Sequence, residues 1–474
     1  MRASRFPLVA AVSLLAATAA AVTAVQPAVA TASASAAITP DLVHIRPTAT
    51  HVGFAQAAPP TTAQCEASFQ IACYGAQQIQ AAYDLPALFA RGTQGQGQTI
   101  AIVDSFGSPT IQADLDTFDA AYGLAGTKVT VIQPAGAVPP WDPTNSTMVG
   151  WAGETTLDVE WAHTMAPKAH ILLVETPTAE TEGTTGFPEI VTAEKYVIDH
   201  NLASVISQSF SATEETFPTK QSLLALRGAY TDAFAHHVTV LAASGDSGAA
   251  DAEADGSTLY PNPVTSWPDS DPLVTGVGGT QLKLDAGGKH TSPDVVWNDT
   301  YDTATQQFIF GNNGPNPLSS GGGKSAIFNR PAYQDGVRDV VGNTRGVPDI
   351  SMSGACNGAV NVYQSFPGQP AGWYPTCGTS EATPLFSGIV ALTAQTAGHP
   401  VGLINPALYL LSALHAPGLV DVTSGNNTVS FTQGGKVQTV HGYNALPGYD
   451  LASGVGTVDA AKFVPELAHL SFGW

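Results

Sequence analysis

The sequence contains little positive charge and little charge of any kind. Its 474 residues include 17 Lys and Arg against 38 Asp and Glu, only 12% of residues are charged, and the formal net charge at pH 7 is −21. Nucleic acid and anionic lipid repel such a chain, so the sequence predicts neither a nucleic-acid nor a membrane partner. An acid-rich, lysine-poor surface suits an acidic medium. High negative charge also keeps secreted proteins soluble, and composition leaves both interpretations open.

Cysteine is scarce as well. The four cysteines fall into two local pairs, Cys65 with Cys73 and Cys356 with Cys377. Of the three possible connectivities these short-range pairings are the simplest, and we expect both as disulfides of an exported protein. No CxxC pair and no His/Cys cluster predicts a zinc site.

Long apolar runs are missing except at the N-terminus. Arg2 and Arg5 precede an apolar stretch at 7–25, and AVA at 28–30 offers a small-residue cleavage site. This pattern predicts a secretion signal peptide over residues 1–30. No later stretch is long and apolar enough to span a membrane, so we expect a secreted, extracellular protein.

Residues 31–73 are rich in Ala, Thr and Pro and show no clear period, which predicts a tail or a short pro-segment. From Tyr74 the pattern becomes globular, and short β-branched apolar runs alternate with helical patterns. The predicted strands are 98–104, 170–175, 204–209 and 238–244, and the predicted helices are 111–122, 187–200 and 219–236. This alternation predicts an α/β fold with a mostly parallel central sheet and helices on both faces. We expect a turn-rich surface excursion at 284–324 and a hairpin at 356–377.

The stretch CGTSEATP, residues 377–384, is typical of a nucleophilic serine mounted at the start of a helix. Pro384 is expected in the first helical turn, where its missing N–H costs nothing. Ser380 would then lie at a helix N-terminus, with its own N–H available to a developing oxyanion. A plain Ser/Thr cap on a buried helix would show the same letters. A nucleophilic serine also needs a base, and none of the 12 histidines has an HGTH-type setting.

The stretch GETTLDVEWAH, residues 153–163, offers another kind of base. Glu154 and Asp158 are four residues apart, so on a helix they share one face. Adjacent carboxylates repel unless one is protonated, which pushes their pKa values apart and suits a glutamate base held by an aspartate. Acidic pairs at this spacing often mark only a solvated helix face, but the rest of this helix is apolar.

The stretch SGDSGA, residues 244–249, directly follows the predicted strand 238–244. It places Asp246 at the carboxyl end of a strand, where α/β sheets usually form ligand sites. A protonated aspartate there could donate a hydrogen bond. Taken alone, the same letters would describe an ordinary turn.

Together the three stretches resemble the sedolisin family of serine-carboxyl peptidases, which share the subtilisin-like fold. The family pattern GTSxxxP is met by Gly378, Thr379, Ser380 and Pro384. Four supporting stretches also fit: GQTIAIVDSFG (97–107), SGGGKSAIFNRPAYQ (320–334), GVPDIS (346–351) and PGYDLASGVGT (447–457). The resemblance covers roughly residues 74–465 and implies a peptidase domain over 74–474.

The resemblance also implies a role for each site residue. Ser380 attacks the peptide bond, Glu154 takes its proton, Asp158 orients Glu154, and Asp246 completes the oxyanion hole with the Ser380 N–H. Asp246 can donate only while protonated, and a glutamate base has a reference pKa of about 4.3, so the chemistry is expected in acid.

A calcium ion near the C-terminus is a further implication of the resemblance. The matching positions are Asp421, Val422, Leu446, Gly448 and Asp450. Two carboxylates with backbone carbonyls are hard-oxygen ligands suited to Ca²⁺. The family usually has glycine at the position of Leu446, which a backbone with positive φ would require. An acidic turn without metal is the other interpretation of these residues.

The expected partners are protein or peptide substrates, and we expect a monomer. Pocket residues are predicted at 207–212 and 244–247, and both endopeptidase and tripeptidyl-peptidase activity occur on this fold. Precursors of the family usually carry a long folded pro-domain, whereas here only residues 31–73 separate the predicted signal from Tyr74. We therefore expect secretion without one, use of a separate one, or membership of a divergent branch.

Two other interpretations stay open at this point. Asp104 lies where subtilisins place their triad aspartate, so His163 or another histidine could serve Ser380 instead of Glu154. However, His163 is nine residues beyond Glu154, and a rotation of about 900° puts it on the opposite helix face. Alternatively, the chain is a secreted binding protein with an inactive peptidase fold.

Overall fold

The computed structural model describes residues 50–311 and 314–471. The predicted signal peptide and residues 31–49 lie outside the described residues. The strands are β1 (Thr50–His51), β2 (Cys73–Tyr74), β3 (Thr99–Ser105), β4 (Val129–Ile132), β5 (His170–Thr176), β6 (Val205–Gln208), β7 (Ala212–Thr213), β8 (Thr239–Ala243), β9 (Ser266–Trp267), β10 (Thr275–Gln281), β11 (Val295–Val296), β12 (Gly323–Asn329), β13 (Thr344–Val347), β14 (Ile350–Ser353), β15 (Ala359–Gln364), β16 (Gly372–Cys377), β17 (Leu419–Val420), β18 (Val429–Gln433), β19 (Lys436–Val440) and β20 (Thr457–Val458).

The α-helices are α1 (Thr62–Phe69), α2 (Ala76–Ala82), α3 (Leu85–Phe89), α4 (Ile111–Tyr122), α5 (Ser146–Met165), α6 (Phe187–Asp199), α7 (Lys220–Leu224), α8 (Gly228–Ala235), α9 (Thr303–Phe310), α10 (Arg338–Val341), α11 (Thr379–Ala397), α12 (Asn405–Ala413) and α13 (Ala460–Leu470). A search of the described residues found no helix with the length and apolar character that crossing a membrane requires.

The central sheet has eight strands in the order β11-β10-β8-β6-β3-β5-β4, with β14 also paired to β10. Six of its seven pairings are parallel, and only β11 runs antiparallel to its neighbour. The predicted mostly parallel sheet is confirmed. Because the strands share a direction, the segments that follow β3, β6 and β8 emerge at one edge of the sheet.

Alternate residues of β3 face opposite layers of helices. Ile100 and Ile102 pack in the core that contains residues of α5 and α11, whereas Ala101 and Val103 pack in the core that contains α6 and α8. This follows from the two-residue period of a strand, and it requires apolar side chains at every position of a strand covered on both faces. The predicted helices on both faces are confirmed.

Two local predictions differ from the structure. The predicted helix 219–236 is two helices, α7 and α8, separated at residues 225–227. The predicted surface excursion at 284–324 is wrong in part, because this segment contains α9 and a fully buried tryptophan, Trp297. The Trp297 indole N–H donates to Asp299 Oδ2 at 2.8 Å, and the same oxygen accepts the backbone N–H of Cys356. These contacts hold the segment against the domain although its sequence is rich in turn formers.

The predicted hairpin forms from β15 and β16, and both predicted disulfides are confirmed. The strand β1 extends the hairpin, with Thr50 opposite Cys377 and His51 opposite Thr376. Regular structure therefore begins ahead of Tyr74, where the apolar pattern of the sequence starts. Whether residues 31–73 act as a tail or as a pro-segment stays a prediction.

A buried ion pair lies beneath the C-terminal part of the chain. The Arg345 guanidinium donates to Asp349 Oδ1 at 2.7 Å, and both side chains are fully buried. Asp349 also accepts hydrogen bonds from the Tyr409 hydroxyl at 2.8 Å and the Gly276 N–H at 2.9 Å. We call Arg345, Asp349 and Tyr409 the Arg345 cluster. The guanidinium lies against both Asp349 oxygens, the close pairing that two charges need in a low-dielectric interior, while the Arg345 Nε has no hydrogen-bond partner among the described residues.

Candidate active site

Ser380 lies in the first turn of α11. The preceding Gly378 has φ +133°, a conformation that favours glycine, and its N–H donates to the Gly354 carbonyl at 2.9 Å. The first turn of a helix is where backbone N–H groups point out of the helix and commonly bind anions. Pro384 was expected in the first turn but lies in the second, because the helix already begins at Thr379. In the second turn, the N–H of residue 384 would normally bond to the Ser380 carbonyl four residues earlier, and proline has no N–H to donate.

Asp246 follows β8 and is bound to the turn that carries Ser380. Its Oδ1 accepts the Thr379 N–H at 2.7 Å and the Thr379 hydroxyl at 2.8 Å. Its Oδ2 is buried and has no hydrogen-bond partner among the described residues. Burial raises the pKa of Asp246 to about 7, although the two bonds from Thr379 act in the opposite direction. With a proton on Oδ2, Asp246 would be a hydrogen-bond donor that contacts Thr379, the residue directly before Ser380.

Glu154 and Asp158 lie on α5, which packs directly against α11. Asn145 caps α5, since its side chain accepts the N–H groups of Thr147 and Met148. Both carboxyls are fully buried, so the interpretation of a solvated helix face is wrong. Burial raises the pKa of Asp158 well above its ordinary value, and the neighbouring Asp104 and Glu154 raise it further.

Two more carboxyls complete this region. Asp104, on β3, has its pKa raised to about 7 by burial and, to a smaller extent, by the nearby Glu175. Glu180, on the loop after β5, has its pKa raised by burial and then by Glu154 and Asp104. We call Asp104, Glu154, Asp158 and Glu180 the carboxyl cluster. Among the described residues, Asp104, Asp158 and Glu180 form no ion pair with Lys, Arg or His.

Ser209 is a site residue that the sequence did not single out beyond the pocket segment 207–212. Its hydroxyl donates to Asp158 Oδ1 at 2.9 Å and lies 3.5 Å from the Ser380 carbonyl oxygen. A serine just after a buried strand has no distinctive pattern, so only the tertiary contact shows its place. The predicted pocket segments 207–212 and 244–247 lie at the carboxyl ends of the adjacent parallel strands β6 and β8.

His163 is held away from this constellation. Its Nε2 lies 3.0 Å from the Ala125 carbonyl oxygen and 3.3 Å from Asp119 Oδ1, on the side of α5 that faces α4. This agrees with the helical rotation that separates His163 from Glu154. The structure gives no contact between His163 and Ser380, so it does not favour a histidine base.

The predicted calcium positions come together in the C-terminal loops. Asp421 Oδ2 accepts the Gly448 N–H at 2.8 Å, and Asp450 Oδ2 accepts the Leu446 N–H at 3.0 Å. Leu446 has no positive φ, so its backbone does not require glycine, whereas Gly448 has φ +84°. Among the described residues no three His, Cys, Asp or Glu side chains group as metal ligands. A cation here would depend on two carboxylates and backbone carbonyls such as that of Val422, a donor set that fits Ca²⁺.

Comparison with known proteins extends these observations. The subtilase family matches residues 145–409, more than half of the chain. The chain is 32% identical to kumamolisin from Bacillus sp. (strain MN-32), over 80% of this chain and 61% of that protein. It is 29% identical to sedolisin from Pseudomonas sp. (strain 101), over 79% of this chain and 58% of that protein.

A solved structure matches as well. It is Pseudomonas sedolisin, a serine-carboxyl proteinase, complexed with two molecules of pseudo-iodotyrostatin. The two folds agree with a TM-score of 0.69 at 25% sequence identity, over 85% of this chain and 100% of that chain.

The chain therefore belongs to the subtilase family. Within that family it is a sedolisin-type member, as its motifs predicted, and the predicted subtilisin-like fold is confirmed. The chain spans about three fifths of the length of both relatives.

Proposed function

We propose that the chain is a secreted serine-carboxyl peptidase that is active in acid. The observation that carries this proposal is the pairing of Asp246 with the Ser380 turn. Asp246 touches the residue before Ser380, and one of its oxygens is buried and available for a proton. Kumamolisin and sedolisin, which this chain resembles over most of its length, support the same reaction class.

In the proposed first step the Ser380 Oγ attacks the scissile carbonyl carbon while the Glu154 carboxylate takes the hydroxyl proton. The carbonyl oxygen becomes an oxyanion, which accepts hydrogen bonds from protonated Asp246 and from the Ser380 N–H. The intermediate then collapses, the C–N bond breaks, and the leaving amine takes the proton from Glu154. The product is an ester between Ser380 and the acyl part of the substrate.

In the second step water attacks the ester and Glu154 takes a proton from the water. A second oxyanion forms in the same place, and its collapse returns the proton to Ser380 and releases the new carboxyl terminus. Asp158 holds Glu154 throughout. An ionised Asp246 could not donate to the oxyanion, so the proposed reaction fails on the alkaline side.

Hydrolysis of a denatured protein at about pH 4, near the reference pKa of a glutamic acid, tests the proposal. Ser380→Ala should keep less than about 1% of the wild-type rate, because the nucleophile is removed. Ser387→Ala is the matched control, since Ser387 is a buried serine of the same helix whose hydroxyl donates to the Pro384 carbonyl at 2.7 Å. A Ser380→Ala variant that retains the control's rate would contradict the proposal, and a wild-type chain without activity would favour the inactive binding protein.

We also propose that Asp421, Asp450 and the carbonyls of Val422, Leu446 and Gly448 bind one Ca²⁺. The ion would neutralise the two carboxylates and join the two loops. Because only the folded chain holds these oxygens together, chelation should lower the melting temperature, and metal analysis should find one ion per chain. An unchanged melting curve in excess chelator, with no metal found, would remove this proposal.

A further inference from the structure

The Ser209 hydroxyl lies between α5, which carries Glu154 and Asp158, and α11, which carries Ser380. Ser209 follows β6, which lies in the sheet between β3 and β8. Its side chain is fully buried and donates to Asp158 Oδ1 at 2.9 Å. The Ser209 Oγ also lies 3.5 Å from the carbonyl oxygen of Ser380. Ser209 therefore touches both α5 and the first turn of α11.

The second contact lies where Pro384 interrupts the hydrogen bonding of α11. In an unbroken helix the Ser380 carbonyl would accept the N–H of residue 384, and proline has none. The Ser209 hydroxyl approaches this carbonyl. Ser209 therefore lies between the turn that carries Ser380 and Asp158, the residue that would hold the base Glu154. A hydroxyl has one proton to donate, and the shorter distance assigns it to Asp158.

The bond to Asp158 also distinguishes the two carboxyl oxygens. Oδ1 is occupied by Ser209, whereas Oδ2 is buried without a hydrogen-bond partner among the described residues. That leaves Oδ2 as the oxygen able to share a proton with Glu154, one helical turn away. A carboxyl free to rotate would offer either oxygen.

We propose that Ser209 is a positioning residue, whose hydroxyl fixes the orientation of the Asp158 carboxyl and, through it, that of Glu154, beside the turn that carries Ser380. This inference rests on the proposed peptidase function, because Ser209 would act only through these groups. Under this proposal the segment 207–212 positions a catalytic group through Ser209, in addition to its predicted role of lining a substrate pocket.

The surroundings of Asp158 give the proposal a pH signature. The titratable groups that face it are Asp104 from β3 and Glu154 from its own helix, and Glu180 faces both of these from the loop after β5. All three are acidic, and Asp104 and Glu154 oppose ionisation of Asp158. The hydrogen bond from Ser209 lowers the pKa of Asp158, so its loss should raise the pKa of the coupled pair.

The test compares pH–rate profiles of the full chain on a peptide substrate. Ser209→Ala should lower kcat on the order of tenfold or more, with KM within about twofold, as for loss of a hydrogen bond to a charged group. The acid limb of kcat/KM should move up by about half a pH unit or more. Ser209→Thr keeps a hydroxyl and should restore the wild-type limb.

Ser204→Ala is the matched control. Ser204 is a buried serine at the other end of the same strand region, and its hydroxyl donates to the Thr99 carbonyl at 3.2 Å. Its profile should keep the wild-type limbs. If Ser209→Ala does not fold, Ser209→Cys, a weaker donor of similar size, should move the limb in the same direction by less.

An unshifted acid limb in Ser209→Ala, with a rate like that of Ser204→Ala, overturns the inference and leaves the proposed function intact. An equal loss at every pH also overturns it, since that is the result of a structural defect. A wild-type chain without acid activity, or a fully active Ser380→Ala, overturns the proposed function and this inference with it.

Discussion

Buried carboxyl groups are neutralised in two different ways in this chain. In the Arg345 cluster a guanidinium faces Asp349, and hydroxyl and backbone donors complete the pair. In the carboxyl cluster, the close titratable neighbours of Asp104, Asp158 and Glu180 within the described part of the chain are other acids, and burial raises the pKa values of all three. The first arrangement has a permanent cation, whereas in the second the raised pKa values favour the protonated, neutral form. Only the second depends on pH, and it is the one next to Ser380.

Removing the cation should have the largest effect. Arg345→Met keeps much of the side-chain volume but leaves Asp349 as an unpaired buried charge. We expect a loss of about 3–5 kcal/mol in the free energy of unfolding, measured by denaturant titration. The double variant Arg345→Met with Asp349→Asn should recover part of it, because the charge is then removed as well. A single variant as stable as the wild type would show that the Arg345 cluster is not needed to neutralise Asp349.

Asp246 should behave in the opposite way, with a large effect on rate and a small one on stability in acid. Asp246→Ala should lose roughly 10²–10³ in kcat, the usual cost of an oxyanion-hole donor. Asp246→Asn donates at any pH, so the alkaline limb of kcat/KM should shift upward even if the peak rate falls. A wild-type limb in the asparagine variant would assign Asp246 a structural role in its turn.

The proposed base can be separated from the histidine by one pair of variants. Glu154→Gln should lower kcat by on the order of 10² or more, since a general base is lost. His163→Ala should change kcat little, because its ring contacts Asp119 and the Ala125 carbonyl instead of Ser380. The reverse order of effects would favour a Ser-His-Asp mechanism that uses Asp104.

The carboxyl cluster should also make the stability of the fold depend on pH. The pKa of Asp104 is raised from about 3.8 when unfolded to about 7 when folded, so between these values the folded state binds the extra proton. Its contribution is fully present below about pH 4 and is lost as pH rises through about 7. Asp104→Asn should flatten the fall in unfolding free energy by up to about 1.4 kcal/mol per pH unit in that window. An unchanged slope in urea titrations at several pH values would contradict this assignment.

The sequence predicted those features that follow from local spacing. Apolar runs located β3, β5, β6 and β8, and the four-residue interval placed Glu154 and Asp158 on one helix face. The disulfides followed from short separations.

Features decided by distant contacts could not be predicted in the same way. Ser209 is defined by Asp158, 51 residues earlier, and by Ser380, 171 residues later. Trp297 is buried because Asp299 and Cys356 hold its segment, and the turn formers around it gave no sign of this.

The strand β1 has a consequence for how the chain is processed. Its residues pair with β16, the strand that leads directly into Gly378 and Ser380, and His51 contacts the Thr376 hydroxyl at 2.8 Å. A proteolytic cut at the border before Tyr74 would remove this pairing together with α1 and the Cys65–Cys73 loop. We therefore expect any trimming that leaves the fold intact to stop ahead of Thr50, so that β1 stays paired with β16 beside the proposed nucleophile.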